Sequence, residues 1–446
     1  MKKTVLVLGL LAQVTTHAAF SMSNEKCWTT NPIMKSSAES KKIADETKLC
    51  AMEFYTDQLT VCPKLNSTNP GILVVKRSTA ISDADFKQKY CMDIDDASED
   101  KDATGEKLGK VVAKFKQTTS CSHASSPVTY YRVAEFLGGS RVPVAVFRTM
   151  DKQKHLEITL KATSHLAKSN QLIAQTWRTL LSRHRNAAAN PEIFVGDTVY
   201  GALSENITGE YKFNLVGGVG SYDTRYQRFM TQRPFLAVSS GESVATLAGG
   251  TDFKKLAPVV TVMRDVSNMV VIDYMLNQAD RIGNIHFKFK LYKNVNGKVV
   301  ESKSKAKLVG EKEVIPADEQ LRIKNGEVLV RETILKDNDC GISKENMMRK
   351  VGALEKVRHM NAKVYRQVQK LADYVRTAEG DRYFESELRI GHENFDSSTK
   401  SHNIRNNIIT AAKILRENCE SGRLNLDLDL EGLMADPNYK ESCRVN

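Results

Sequence analysis

Apolar and polar residues alternate along Val111-Val112-Ala113-Lys114-Phe115-Lys116, just after Gly105 and Gly109, which predicts a strand entered through a glycine turn. Ile72-Leu73-Val74-Val75 predicts another strand, and Val142 to Arg148 a third, with Pro143 near its start where a missing N–H is tolerated. Tyr130 to Leu137 predicts a short helix closed by Gly138-Gly139, and Ser169 to Arg183 a longer amphipathic one. From Val262 to Asn277 the apolar positions Val262, Val266, Met269, Val270, Ile272, Met275 and Leu276 cover most of a helix circumference. Such a helix is buried on nearly all sides. It runs into the polar turn Asp280-Arg281-Ile282-Gly283-Asn284 and then alternating residues through Tyr292. Asn296-Gly297 and Asn325-Gly326, each flanked by β-prone residues, predict hairpins. Val328 to Leu335 predicts a strand leading to Asp337-Asn338-Asp339-Cys340-Gly341, and beyond Met347 the period is helical almost to the end. A Gly-rich, β-like stretch runs from Ile193 to about Val219, and the acidic run from Asp93 to Asp102 reads as a solvated linker. The expected class is α+β, with a β-rich first half and a helical second half.

Composition narrows this picture. The 446 residues are 41% hydrophobic and 26% charged, which excludes wholesale disorder and a polytopic membrane protein. The net charge of +12 is spread without an Arg-rich block or interleaved aromatics, so a nucleic-acid partner is not expected. Met1-Lys2-Lys3, an apolar run to Ala12 and small residues at Ala18 and Ala19 have the order of a secretory signal, residues 1–19, cleaved on export. No later stretch is long enough to span a bilayer. Eight cysteines (27, 50, 62, 91, 121, 340, 419 and 443) suit disulfides in a secreted or periplasmic protein, with the connectivity left open. No C-x-x-C pair or Cys/His cluster points to structural zinc.

Three polar features lie at the ends of apolar elements: Lys116 on its strand, the Asp280/Asn284 turn after the buried helix, and Asp337 after a strand with Gly341 four residues on. Phosphoryl transfer from ATP uses these parts in this chain order. A lysine meets the phosphates, one aspartate handles the acceptor hydroxyl, and another aspartate holds Mg²⁺. Asp339 competes with Asp337, since Asp339-Cys340-Gly341 imitates a kinase D-F-G. His286 reads as a packed or exposed strand residue, and Gly217-Gly218-Val219-Gly220, with no Lys-Ser/Thr after it, as a turn. Neither G-x-S-x-G nor H-E-x-x-H occurs, so hydrolase and metalloprotease readings have no anchor.

The segment Arg264-Asp265-Val266 through Val271-Ile272-Asp273-Tyr274-Met275-Leu276-Asn277-Gln278-Ala279-Asp280-Arg281 resembles the catalytic-loop helix of the secretory-pathway atypical kinases, the Golgi casein kinase family. Glu332 to Asn338 with Gly341 resembles that family's metal strand, Ala113-Lys114-Phe115-Lys116 its nucleotide-lysine strand, and Val133 to Leu137 with Arg141-Val142-Pro143 and Arg148 the helix and strand that follow. Spore-coat CotH-type and HipA-like kinases share the same minimal logic. The resemblance implies a bilobal atypical protein-kinase-like fold. A cysteine-containing segment (20–104) would precede a β-rich N-lobe with an insertion (105–260) and a mainly helical C-lobe (261–446). It further implies Asp280 as catalytic aspartate, Asp337 as metal ligand, Lys116 as phosphate contact and Asn284 as second metal contact. Spacing back from Arg141-Val142-Pro143 puts the helix carboxylate that fixes the lysine near Pro127, and Glu135 is the nearest acidic residue.

The function implied is an exported kinase moving the γ-phosphoryl of ATP, with Mg²⁺ or Mn²⁺, to a Ser/Thr hydroxyl of a protein, a host protein among the possible substrates. A catalytically silent kinase-fold binding protein, which uses the same cleft or its insertions to hold a partner, and an AMP transferase using the same residues are the alternatives.

Overall fold

In a computed structural model of the chain, the described residues are 20–22, 24–34, 39–56, 58–213, 220–342, 345–392 and 398–444. The expected signal segment 1–19 and Gly217-Gly218-Val219 lie outside them. The first half contains β1 (Phe20–Met22), β2 (Glu25–Trp28), α1 (Glu39–Cys50), β3 (Leu59–Pro63), β4 (Ile72–Arg77), α2 (Asp83–Lys89), α3 (Ile94–Glu99), β5 (Gly109–Gln117) and α4 (Ser125–Leu137). It continues with β6 (Ala145–Asp151), α5 (Lys152–His165), α6 (Leu172–Arg185), β7 (Phe194–Val195) and β8 (Thr198–Glu205).

These strands form one antiparallel sheet in the order β1-β2-β6-β8-β5-β4-β3, with β7 on β8. The alternation in β5 does what it predicts: Ala113 and Phe115 enter a core with Val146, Phe147 and Leu203, so Lys114 and Lys116 project from the other face. Because β3 pairs with β4 and β4 with β5, the boundary expected at 104/105 falls inside a continuous sheet. The acidic run is not a bare linker either. It forms α3, and Asp100 and Asp102 accept hydrogen bonds from Tyr90 and Ser78 at 2.7 and 2.6 Å.

The second half opens with β9 (Tyr211–Lys212), α7 (Tyr222–Met230), α8 (Arg233–Ser239), α9 (Val244–Ala248) and α10 (Phe253–Met275). There follow β10 (Ile285–Val295), β11 (Lys298–Lys303), β12 (Lys307–Val309), β13 (Lys312–Val314), α11 (Ala317–Lys324) and β14 (Val328–Leu335). The remainder is helical: α12 (Met347–Lys350), α13 (Ala362–Tyr374), α14 (Ala378–Arg389), α15 (Ser398–Glu420) and α16 (Leu430–Ala435). Asp252 caps α10 by accepting from the Lys255 N–H, and the helix is buried nearly all round, at the centre of the larger core. The 260/261 boundary therefore falls inside one helix. Asn296-Gly297 makes the β10–β11 hairpin with both residues at positive φ. Asn325-Gly326 does not make a hairpin: it ends α11, where Asn325 caps the helix and Gly326 takes the left-handed conformation that follows.

Four disulfides join Cys27–Cys50, Cys62–Cys91, Cys121–Cys340 and Cys419–Cys443, a set suited to an oxidising compartment. No helix among the described residues is long and apolar enough to cross a membrane.

Candidate functional site

The face of β5 that carries Lys114 and Lys116 looks onto the turn after β14. Lys114, Lys116, Pro127, Pro143, Glu205, Asp337 and Asp339 line one cleft between the large sheet and the helical half. Lys116 is buried, and its Nζ donates to Asp339 Oδ2 at 2.7 Å. Burial opposes the charge on Lys116, but Asp339 and Asp337 outweigh it and raise the ammonium above its ordinary range.

Asp337 stands at φ +50° and ψ +50°, a left-handed conformation that aspartate tolerates better than most residues. Burial alone would raise its carboxyl, yet the ammonium groups of Lys64, Lys114, Lys116 and Lys336 hold it well below the usual carboxylate range. Lys64 Nζ lies 3.9 Å from Asp337 Oδ1. The loop is pinned from several sides. Cys340 is bonded to Cys121, the Ala279 N–H donates to the Cys340 carbonyl at 3.2 Å, and the Ile342 N–H donates to the Leu276 carbonyl at 2.6 Å. These bonds stitch it to the turn that carries Asp280.

Asp280 accepts a hydrogen bond from Arg225 Nη1 at 2.9 Å. Its carboxyl is raised, first by burial and further by the negative charges of Asp339 and Asp337, while Arg225 works in the opposite direction. Asp337 and Asp339 thus act electrostatically on Asp280. Arg281, fully buried beside Asp280, donates to both carboxylate oxygens of Asp273, to the Lys336 carbonyl and to Asn338 Oδ1 at 2.6–3.1 Å.

One expected role needs correction. Glu135 does not meet Lys116: it accepts from Arg132 Nη1 at 2.7 Å, in a group where Arg132 also bonds Thr30 and Glu46. The helix position facing the lysine belongs to Pro127, which lines the cleft, so the carboxylate for Lys116 comes from Asp339 instead. Asn284 donates its side-chain Nδ2 to the Asp280 carbonyl at 2.9 Å and so closes the turn; a metal contact would use its Oδ1, which this bond does not occupy. His286 is packed within β10, with Nδ1 against the Asn284 carbonyl at 3.1 Å.

Lys64, Lys336 and Arg225 were not singled out by the sequence. Lys64 belongs to the β3–β4 hairpin and Arg225 to α7, so no local spacing links either to an aspartate. Lys114 was within reach, being two residues before Lys116 on the same strand face.

A divalent cation fits this site on the donor chemistry. Asp337 and Asp339 offer two carboxylates, and Mg²⁺ or Mn²⁺ on a nucleotide draws its remaining ligands from phosphate and water. Among the described residues no third His, Cys, Asp or Glu completes an all-protein metal cage. No protein-family model matches the chain, and comparison with curated proteins gives no match.

Proposed function

We propose that the protein is an exported atypical kinase that transfers the γ-phosphoryl group of ATP to a hydroxyl, most simply a serine or threonine of a protein substrate. The observation that carries this reading is the meeting of Lys116 with Asp339, two residues from Asp337, in one cleft, with Asp280 near enough to feel the charges of both aspartates. The order of elements supports it. Counted from the β3–β4 hairpin, Lys116 is on the third strand and a helix follows, as in the small lobe of a protein kinase.

In this reading Lys114 and Lys116 hold the phosphates, and Asp280 accepts the proton of the attacking hydroxyl. Asp337 and Asp339 would hold Mg²⁺ or Mn²⁺, which supplies charge neutralisation on the phosphates. The raised carboxyl of Asp280 makes it a better proton acceptor than an ordinary surface aspartate. Arg281 positions Asp280 and Asp337 relative to one another by bonding the segments beside both.

One observation favours a second reading. With Pro127 in place of a helix carboxylate, Lys116 is tied to a candidate metal ligand, an arrangement suited to binding nucleotide without turnover. Incubation of the exported protein with γ-labelled and with α-labelled ATP plus Mn²⁺, using Asp337→Ala as control, separates the cases. Transfer of γ-label that is lost in the variant is the expected result. Transfer of α-label would mean AMP transfer, and nucleotide binding without transfer would leave the second reading.

A further inference from the structure

Sites for small molecules are lined mainly by apolar and aromatic side chains, with a few polar groups to fix orientation. The cleft between the sheet and the helical half reverses that proportion. Lys114, Lys116, Glu205, Lys336, Asp337 and Asp339 all line it, and the apolar side chains among its described lining residues are Pro127 and Pro143. Seating a purine here would strip water from charged groups and return little apolar contact.

A base can also be read by its hydrogen-bonding edge, and the chain leaving β8 has spent the groups for that. The Glu205 N–H donates to the Val144 carbonyl at 2.8 Å and the Asn206 N–H to the Val112 carbonyl at 3.1 Å. The Ile207 carbonyl accepts from Lys336 Nζ at 3.4 Å, and the same ammonium pairs with Glu210. A base presented to this side meets three committed backbone groups and a closed ion pair.

Charge is still available for an anion. Lys116 is bonded to Asp339 and Lys336 to Glu210, whereas Lys114 Nζ has neither hydrogen bond nor ion pair among the described residues. Asp337 and Glu210 act on it only at a distance. Phosphate oxygens suit its three donors through charge alone, with no call on a ring or an edge.

We infer that the cleft recognises its donor by the phosphate chain alone, with Lys114 as a phosphate contact and any base left outside, so that inorganic triphosphate and the nucleoside triphosphates are interchangeable donors. The inference rests on the phosphotransfer reading of the cleft and names its donor class, the phosphoanhydride chains. In the transfer the bond between the bridging oxygen and the terminal phosphorus breaks, and one from the acceptor oxygen to that phosphorus forms. The bridging oxygen leaves with the electron pair as diphosphate or nucleoside diphosphate, and the hydroxyl proton passes to Asp280.

The test is binding. Calorimetric affinities of the full exported chain are measured with Mn²⁺ for the β,γ-imido analogues of ATP, GTP and CTP and for inorganic triphosphate. The three analogues are expected to agree within about fivefold, and inorganic triphosphate to bind no more than about fivefold more weakly than they do. Lys114→Met keeps the aliphatic stem and is expected to weaken all four by a common factor of roughly tenfold. Its melting temperature shows whether it is folded, and the wild-type comparison stands by itself if it is not. A wider spread among the analogues, or inorganic triphosphate bound still more weakly, overturns recognition by the chain alone and leaves the nucleotide cleft standing. A folded Lys114→Met that binds all four as wild type does overturns the part given to Lys114. Failure of wild-type protein to bind any of the four overturns the phosphotransfer reading and this inference with it.

Discussion

A guanidinium can be buried completely only when each of its nitrogens finds an acceptor, and Arg281 meets that condition through Asp273, the Lys336 carbonyl and Asn338. Asp273 in turn accepts from the Tyr130 hydroxyl at 2.9 Å, so α4 joins the same network. The pair is not a source of net stability so much as a fixed spacer, since desolvating both charges offsets most of their attraction. Removing one member is a different matter. Arg281→Met strands a buried carboxylate and is expected to cost about 3–5 kcal/mol in chemical denaturation. Restoring charge balance with the added substitution Asp273→Leu should recover part of that loss.

Arg225 acts on Asp280 in the way Lys116 acts on Asp339, by favouring the ionised form. Arg225→Gln removes this influence and leaves burial and the two other aspartates, both of which push the Asp280 carboxyl up. If the carboxylate is the active form, the acidic limb of the pH–rate profile moves to higher pH in the variant. A limb that stays where it is would assign the titration to another group.

Among the elements, β5 and α10 were legible because their patterns answer to burial alone. One face of β5 is core, so its period is two, and α10 is core all round, so its polar residues are few and placed where a partner waits. Asn325-Gly326 misled because the same two residues suit a hairpin turn and the end of a helix, and only the short helix before it decides between them. Asp339 as partner of Lys116, and Lys64 beside Asp337, were not legible. Each depends on segments more than two hundred residues apart meeting in space.

The packing of α5 and α6 carries its own pH dependence. His155 Nδ1 lies 2.7 Å from His184 Nε2, with Gln117 Oε1 3.4 Å from the other ring nitrogen of His155. Burial pushes both imidazoles below the ordinary value of 6.5, His184 to about 4, aided by His184 acting on His155 and Lys152 on His184. The unfolded chain binds protons there that the folded protein refuses. The contribution of the neutral pair is therefore present above pH 6.5 and lost as the pH falls towards 4. Replacing both residues together, His155→Leu with His184→Leu, should make the loss of denaturation free energy between about pH 7.5 and about pH 5 shallower than in wild type.

At the scale of the molecule, three of the four disulfides are local, while Cys121–Cys340 closes a separation of 219 residues and joins the two halves beside the Asp337 loop. Replacing Cys121 and Cys340 by serine together is expected to cost roughly 2–5 kcal/mol. Faster amide exchange should appear in the segment from Asp337 to Gly341, measured by hydrogen–deuterium exchange. Exchange confined to the loop after Ser120 would instead show that the bond serves the sheet side alone.

The long bond also sets a timetable for biosynthesis. Cys27–Cys50 and Cys62–Cys91 span 23 and 29 residues and can be sealed almost as soon as they emerge. Cys121 has to wait for Cys340, on the order of ten to forty seconds at ordinary translation speed. Throughout that interval the nascent chain carries a lone thiol past two finished crosslinks that it could attack. A cell making this protein is therefore expected to depend on an oxidoreductase able to undo wrong pairings, and the yield of folded protein should fall when that helper is scarce.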